Sequence, residues 1–266
     1  MLLLQNGRVI DPKSGLDQVM DLVTDDGKIL ELGNDLKEKY FKIKDNLLRL
    51  RNSIKKSNID IDIHQLRIED KLNRLIALEH IEEGNIKYVL HLTKDKWDEY
   101  IYQIPHHYPT EENYKNGIDT ITCEAIRLNP EVKYINNDLR TLTDRLLQEH
   151  RVYEIILKDT EGSVTEGSRS NVFFIKSGIL YTAPTSLVLP GTARKRVLDI
   201  CKAHQIPVIE ERIKYSDLKE FESAFITGTS PLVLPIRKID EFSFDPQNNR
   251  LREIMEFYFS LLDKFF

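Results

Sequence analysis

The chain has 266 residues, of which 41% are hydrophobic and 30% charged, with a formal net charge of −5 and a pI near 5.9. That balance suits one large globular domain or two modest ones. It argues against nucleic acid as a main partner, because neutralising phosphates needs clustered Lys and Arg. No run approaches the roughly 18 apolar residues of a spanning helix, so no membrane partner is expected. The opening MLLLQNGRV has too short an apolar run for a signal peptide. Two cysteines, Cys123 and Cys201, make no disulfide framework, so a reducing cytoplasm is expected.

Residues 1–33 alternate short apolar runs with turn signals at Asn6-Gly7, Asp11-Pro12 and Asp26-Gly27, which reads as small strands joined by tight turns. Residues 46–57 place Leu47, Leu50 and Ile54 at helical spacing, with Lys55 and Lys56 at a solvated helix end. A second helix is expected over 65–83 and a strand over 88–93. Pro105, Pro109 and Gly117 mark 104–117 as irregular connection, and the domain boundary falls near 118.

Beyond it, TITCEAIRL at 120–128 predicts a strand ended by Pro130, with Lys133 at the entrance of a helix carrying Leu139, Leu142, Leu146 and Leu147. Residues 152–159 alternate as a strand. The run 164–184 reads as two β-rich segments around Ser177-Gly178, a hairpin signature. LPGTARKRVLDICKAH is a loop turning into a helix with Val197, Leu198 and Cys201 on one face. Residues 223–236 read as strand, tight turn, strand.

Several residues could carry chemistry. Gly191, Thr192 and Ala193 open a helix whose first N–H groups could face an anion, although Thr192 could equally be a plain helix cap. Thr227-Gly228-Thr229 offers hydroxyls in what is otherwise an ordinary turn. Arg49 is a cation on an apolar-faced helix, or simply a surface arginine. Lys133, if partly desolvated, would have a lowered pKa and act as a nucleophile; otherwise it is a solvated lysine. Glu166, beside Gly167, could accept a proton from a ring nitrogen or serve only as a turn carboxylate.

Read together, VKYINN, EGSRSNVFFIKSGILYTAP, LPGTARKRV and FITGTSPLVLPI resemble, in order and separation, the class IV (fold type IV) pyridoxal 5′-phosphate (PLP) enzymes. That family includes branched-chain and D-amino-acid aminotransferases and aminodeoxychorismate lyases. The resemblance covers about 117–240 and extends more faintly to NLLRLRNSIKK at 46–56. It implies an α+β fold, with a small N-terminal α/β domain (1–118) and a larger β-rich C-terminal domain (119–266), PLP in the cleft, and a homodimer. It implies Lys133 as the Schiff-base lysine and Glu166 as partner of the pyridine nitrogen. Arg49, Gly191, Thr192, Ala193, Gly228 and Thr229 would surround the phosphate, and Ser168 and Arg169 would border the ring.

The implied activity is amino-group transfer between an amino acid and a 2-oxo acid. The alternatives are an aminodeoxychorismate lyase-type reaction and PLP binding without turnover. The family's early "Y-G-x-G-x-F-E" stretch and the "R-x-H" carboxylate trap of the D-amino-acid enzymes are both absent. Lys94 or Lys96 is the available replacement cation. Residues 2–33 look like the opening strands of a dihydroorotase-type amidohydrolase. That chemistry needs an "H-x-H" metal motif, which none of the 7 histidines forms; His106-His107 are merely adjacent.

Overall fold

The computed structural model describes the backbone of residues 2–11, 13–14, 16–25, 28–33, 36–81, 84–93, 96–105 and 108–263. It describes their side chains except at 2–7, 11, 21, 23–25, 28–33, 36–44, 262 and 263. Strands β1 (Leu2–Asp11), β2 (Leu16–Asp25) and β3 (Lys28–Gly33) form an antiparallel three-stranded sheet. Asn6-Gly7 is not a turn: it lies inside β1, where the pairing with β2 shifts register between Leu4 and Gly7. A bulge absorbs the one extra residue and the strand runs on. The expected turn at Asp26-Gly27 lies outside the described residues.

Helices α1 (Leu36–Lys56) and α2 (Ile68–Leu78) follow, then a hairpin of β4 (Asn85–Leu92) and β5 (Trp97–Ile104). The expected helix over 65–83 is shorter, because a 3-10 turn at Ile63–Leu66, capped by Asp62, precedes it. Ile54, Leu66 and Ile68 are buried at the centre of a small core between these elements. The segment read as irregular contains helix α3 (Glu111–Asn116). Thr110 and Asn113 close a reciprocal cap at its start.

The larger part is a curled, mixed ten-stranded sheet. It is built from β6 (Ile118–Glu124), β7 (Glu154–Lys158), β8 (Ser163–Gly167), β9 (Asn171–Lys176), β10 (Ile179–Thr182), β11 (Val208–Glu210), β12 (Ile213–Lys214), β13 (Ser223–Gly228), β14 (Leu232–Ile239) and β15 (Phe242–Ser243). Its order is β11-β10-β9-β13-β14-β6-β7-β8-β12, with β15 beside β14. Helices α4 (Asn137–His150), α5 (Thr192–Ala203) and α6 (Asn249–Asp263) cover it. The central strands are buried on both faces, hence the unbroken apolar run in Asn171–Lys176. Val172 and Phe174 enter one core, and Phe173 and Ile175 enter the other, with α5 and α6 residues. Phe173 and Phe225 face each other across β9 and β13 with rings stacked at 5.0 Å. Ser177 and Gly178 both have positive φ, as a two-residue hairpin turn of the expected kind requires.

Lys133 does not open a helix. Strand β6 ends at Glu124, and residues 125–136 run irregularly until Asn136 caps α4 by accepting from the Leu139 N–H at 3.0 Å.

Candidate active site

Glu166 projects from β8 and is 2% exposed. Three donors hold its carboxylate: Arg127 Nε at 2.6 Å on Oε1, Leu189 N–H at 3.0 Å on Oε2, and more distantly Asn171 Nδ2 at 3.5 Å. Burial pushes the carboxyl above the ordinary carboxylate range, and the Arg127 charge opposes the rise. Arg127 also donates from Nη2 to the Ser168 carbonyl at 3.2 Å.

Lys133 lies in the irregular segment between β6 and α4. Its backbone N–H donates to the Ser53 Oγ of α1 at 3.3 Å. The residue is exposed to solvent, yet enough protein surrounds its ammonium to desolvate it in part. That desolvation, then the positive charges of Arg49 and Arg127, bring its ammonium down to about 8. Solvent at the exposed part of the residue screens these effects. Glu166 is near enough to pull the other way.

Arg49 is half-buried on α1, and burial lowers its guanidinium pKa. Nη2 donates to Asn46 Oδ1 at 3.0 Å. One turn earlier, Asp45 is close enough to act on Lys195, where α1 approaches α5.

Gly191, not Thr192, is the N-cap of α5, and no side chain caps that helix. The N–H groups of its first turn, including those of Thr192 and Ala193, therefore stay available to a ligand. A Cβ on Gly191 would lie 2.4 Å from Asn171 Oδ1. Asn171 is held there by donating Nδ2 to the Leu189 carbonyl at 2.9 Å.

Gly228 closes β13; a Cβ there would meet the Pro231 ring at 3.1 Å and the Arg169 carbonyl at 3.7 Å. Thr229 is exposed, and its hydroxyl makes no hydrogen bond within the described residues. Ser168 is buried, whereas the Arg169 side chain turns outward and pairs with Asp144 of α4. Of the replacement cations, Lys96 is exposed at the β4–β5 turn; Lys94 and His106-His107 lie outside the described residues.

The expected residues thus fall into connected groups. Arg49 and Glu166 both lie within electrostatic reach of Lys133, Gly191 meets Asn171 beside Glu166, and Gly228 lies near the Arg169 carbonyl. Two residues at the centre were not foreseen, Arg127 and Asn171. Asn171 stands in the quoted EGSRSN run and could have been read from it. Arg127 shows no local signal, since its partner is 39 residues away.

Comparison with known proteins identifies the family and the fold. The sequence profile described as Amino-transferase class IV matches residues 15–239. The chain is similar to a D-alanine aminotransferase of Bacillus licheniformis, at 26% identity over 258 residues covering 90% of this chain and 89% of that one. It is also similar to a D-alanine aminotransferase of Listeria monocytogenes, at 30% identity over 218 residues covering 76% and 74%. In fold it matches the branched-chain aminotransferase of Thermoproteus uzoniensis, with a TM-score of 0.71 and 22% identity over 83% of this chain and 79% of that one. With most of its length inside the family profile and the fold shared as well, the chain belongs to the class IV amino-transferases, an enzyme family.

Proposed function

We propose that the chain transfers an amino group between an amino acid and a 2-oxo acid, using pyridoxal 5′-phosphate attached at Lys133. The observation that carries the reading is the buried Glu166 carboxylate, gripped by Arg127 and the Leu189 N–H, within electrostatic reach of Lys133. The residues present fit that cofactor. Gly191 leaves room where a Cβ would strike Asn171, and the first turn of α5 is uncapped, as a dianionic phosphate needs. Arg49 adds a cation for the phosphate, and the Gly228–Thr229 turn adds a second backbone edge.

When bound, pyridoxal 5′-phosphate supplies an aldehyde that takes up the amino group and a ring that withdraws electrons from the bond being broken. Lys133 Nζ would be the cofactor's point of attachment, and as a free amine it would be the base that takes and returns the substrate's α-proton. Its lowered pKa leaves a useful fraction of free amine near neutrality. Glu166 would hold a proton on the ring nitrogen, a task suited to a carboxylate made more basic by burial. Ser168 and Arg169 would border the ring through their backbone turn.

Three further points belong to this reading. The chain divides near 118 into a small first domain, with Ile54, Leu66 and Ile68 at its core, and a sheet domain. The chain is a homodimer: Ile126, Leu128, Tyr134 and Ile135, all exposed, crowd the segment that carries Lys133. It works in the cytoplasm, where the free thiols of Cys123 and Cys201 stay reduced.

The test is a half-reaction. The loaded enzyme is mixed with single amino acids of both stereochemistries, without acceptor. Transfer bleaches the visible absorbance and releases one equivalent of 2-oxo acid, and an added 2-oxo acid restores the colour. Product release with the colour kept and no acceptor would mark a lyase. No change with any amino acid would mark a binder without turnover.

A further inference from the structure

Strand β7 begins with a carboxylate where the next three residues, Ile155, Ile156 and Leu157, are fully buried and apolar. Glu154 is itself 4% exposed. A charge in such a place is costly unless hydrogen bonds replace its water. They do so completely. Oε1 accepts from Ser168 Oγ at 2.7 Å and from the Ile155 N–H at 2.8 Å. Oε2 accepts from Ser170 Oγ at 2.8 Å and from the Arg169 N–H at 3.3 Å. The roughly four acceptor sites of a carboxylate are all used.

Three of those donors come from consecutive residues, so one carboxylate ties the whole turn from Ser168 to Ser170. Two backbone bonds close it, Gly167 N–H to the Ser170 carbonyl at 2.9 Å and Ser168 N–H to the Ile155 carbonyl at 2.8 Å. The approach is so close that a Cβ on Gly167 would lie 3.0 Å from Glu154 Oε2, and closer still to Ser170 Oγ. The turn therefore has one way to sit, and it presents the Ser168 carbonyl to Arg127 Nη2. Arg127 then has its Nε aimed at Glu166.

We propose that Glu154 is a positioning residue that, by fixing the Ser168–Ser170 turn, holds Arg127 and through it orients Glu166. Its effect on turnover rests on the reading of Glu166 as partner of the cofactor ring. Its effect on Arg127 does not.

The experiment has two arms. In the cofactor-free protein, the Arg127 Nε–H resonance, assigned by its loss in Arg127→Lys, is followed for exchange with solvent. Glu154→Gln puts an amide NH2 among donors and removes acceptor sites; Ser168→Ala removes one bond and serves if the first variant folds poorly. Both should speed exchange, by about tenfold or more for Glu154→Gln, since a bond that has lost its support opens far more often. In the loaded enzyme, Glu154→Gln should lower kcat by up to about a hundredfold, as small misplacements do, with the KM for the amino acid unchanged. Combining it with Arg127→Lys should cost no more than the worse single change. Unchanged exchange at Arg127, or losses in kcat that multiply, would overturn the proposal. Failure of the unaltered protein to take up pyridoxal 5′-phosphate would sink the functional reading alone, and the exchange arm would still decide the role of Glu154.

Discussion

Arg127 and Glu166 form the one ion pair among the described residues in which both side chains are largely withdrawn from solvent, at 13% and 2% exposure. Removing one partner of such a pair costs more than the pair contributes, typically about 3–5 kcal/mol, because a charge is stranded. Arg127→Met should destabilise the cofactor-free protein on that scale. The loss should depend on pH. The folded Glu166 carboxyl already titrates above its unfolded value, so its ionised form costs stability. That cost is absent below the unfolded pKa and grows as pH rises through the folded one. Thermal denaturation should show the variant losing most near pH 7 and little near pH 4.

Glu166→Gln keeps the shape and an acceptor for Arg127 but loses the charge. Cofactor content should stay near normal, while kcat drops by about ten- to a hundredfold, the worth of one charge-assisted hydrogen bond. A near-normal rate would remove Glu166 from the ring nitrogen.

Arg49→Ala tests the phosphate end. Fluorescence titration of the cofactor-free protein should find affinity for pyridoxal 5′-phosphate weaker by about ten- to a hundredfold. Melting temperature should move little, since Arg49 donates only to Asn46 among the described residues. Unchanged affinity would return Arg49 to the ordinary surface.

Lys133 should stand apart from the other lysines in reactivity. With its ammonium brought down to about 8, labelling by trinitrobenzenesulfonate should rise through pH 8, where a free lysine waits until about 10.4. Peptide mapping after partial modification reads this directly. Borohydride treatment of the loaded enzyme should place the cofactor on the same residue. The low pKa also means that folding releases a proton between those two values, so stability of the cofactor-free protein should climb with pH across that window.

Gly191→Ala should act through Asn171. The new Cβ cannot share space with Oδ1 at 2.4 Å, and moving Asn171 breaks its bond to the Leu189 carbonyl. Overpacking of this kind costs about 1–3 kcal/mol. The cofactor should bind more weakly as well, because Leu189 also steadies Glu166. Denaturant unfolding and cofactor titration measure the two effects separately.

Much of the sheet domain was legible because its signals are local. The Ser177-Gly178 hairpin, the helix after Gly191 and the strand-turn-strand at 223–236 each declare themselves within a few residues. The elements that were missed lack such signals. Helix α3 has only six residues, and its reciprocal cap uses Asn113 where Glu or Gln is the familiar partner. Strand β5 belongs to a two-stranded hairpin and shows no clean alternation of burial. The site followed the same rule. Glu166, Ser168 and Gly191 sit in runs that speak as a group, whereas Arg127 acquires meaning only when β8 is brought to it across the fold. Lys133 could be singled out in the sequence, but its setting could not, because α4 starts only after Asn136.

The bond from the Lys133 N–H to Ser53 joins residues 80 apart in sequence. It means that the lysine is not owned by the sheet from which it emerges. Anyone exchanging the first hundred or so residues for those of a relative would also be exchanging the serine that anchors the lysine's backbone and the arginine that tunes its amine. A grafted front half could fold well and still deliver a lysine of ordinary basicity. The proposed division near residue 118 is therefore a poor place to divide the chain's chemistry.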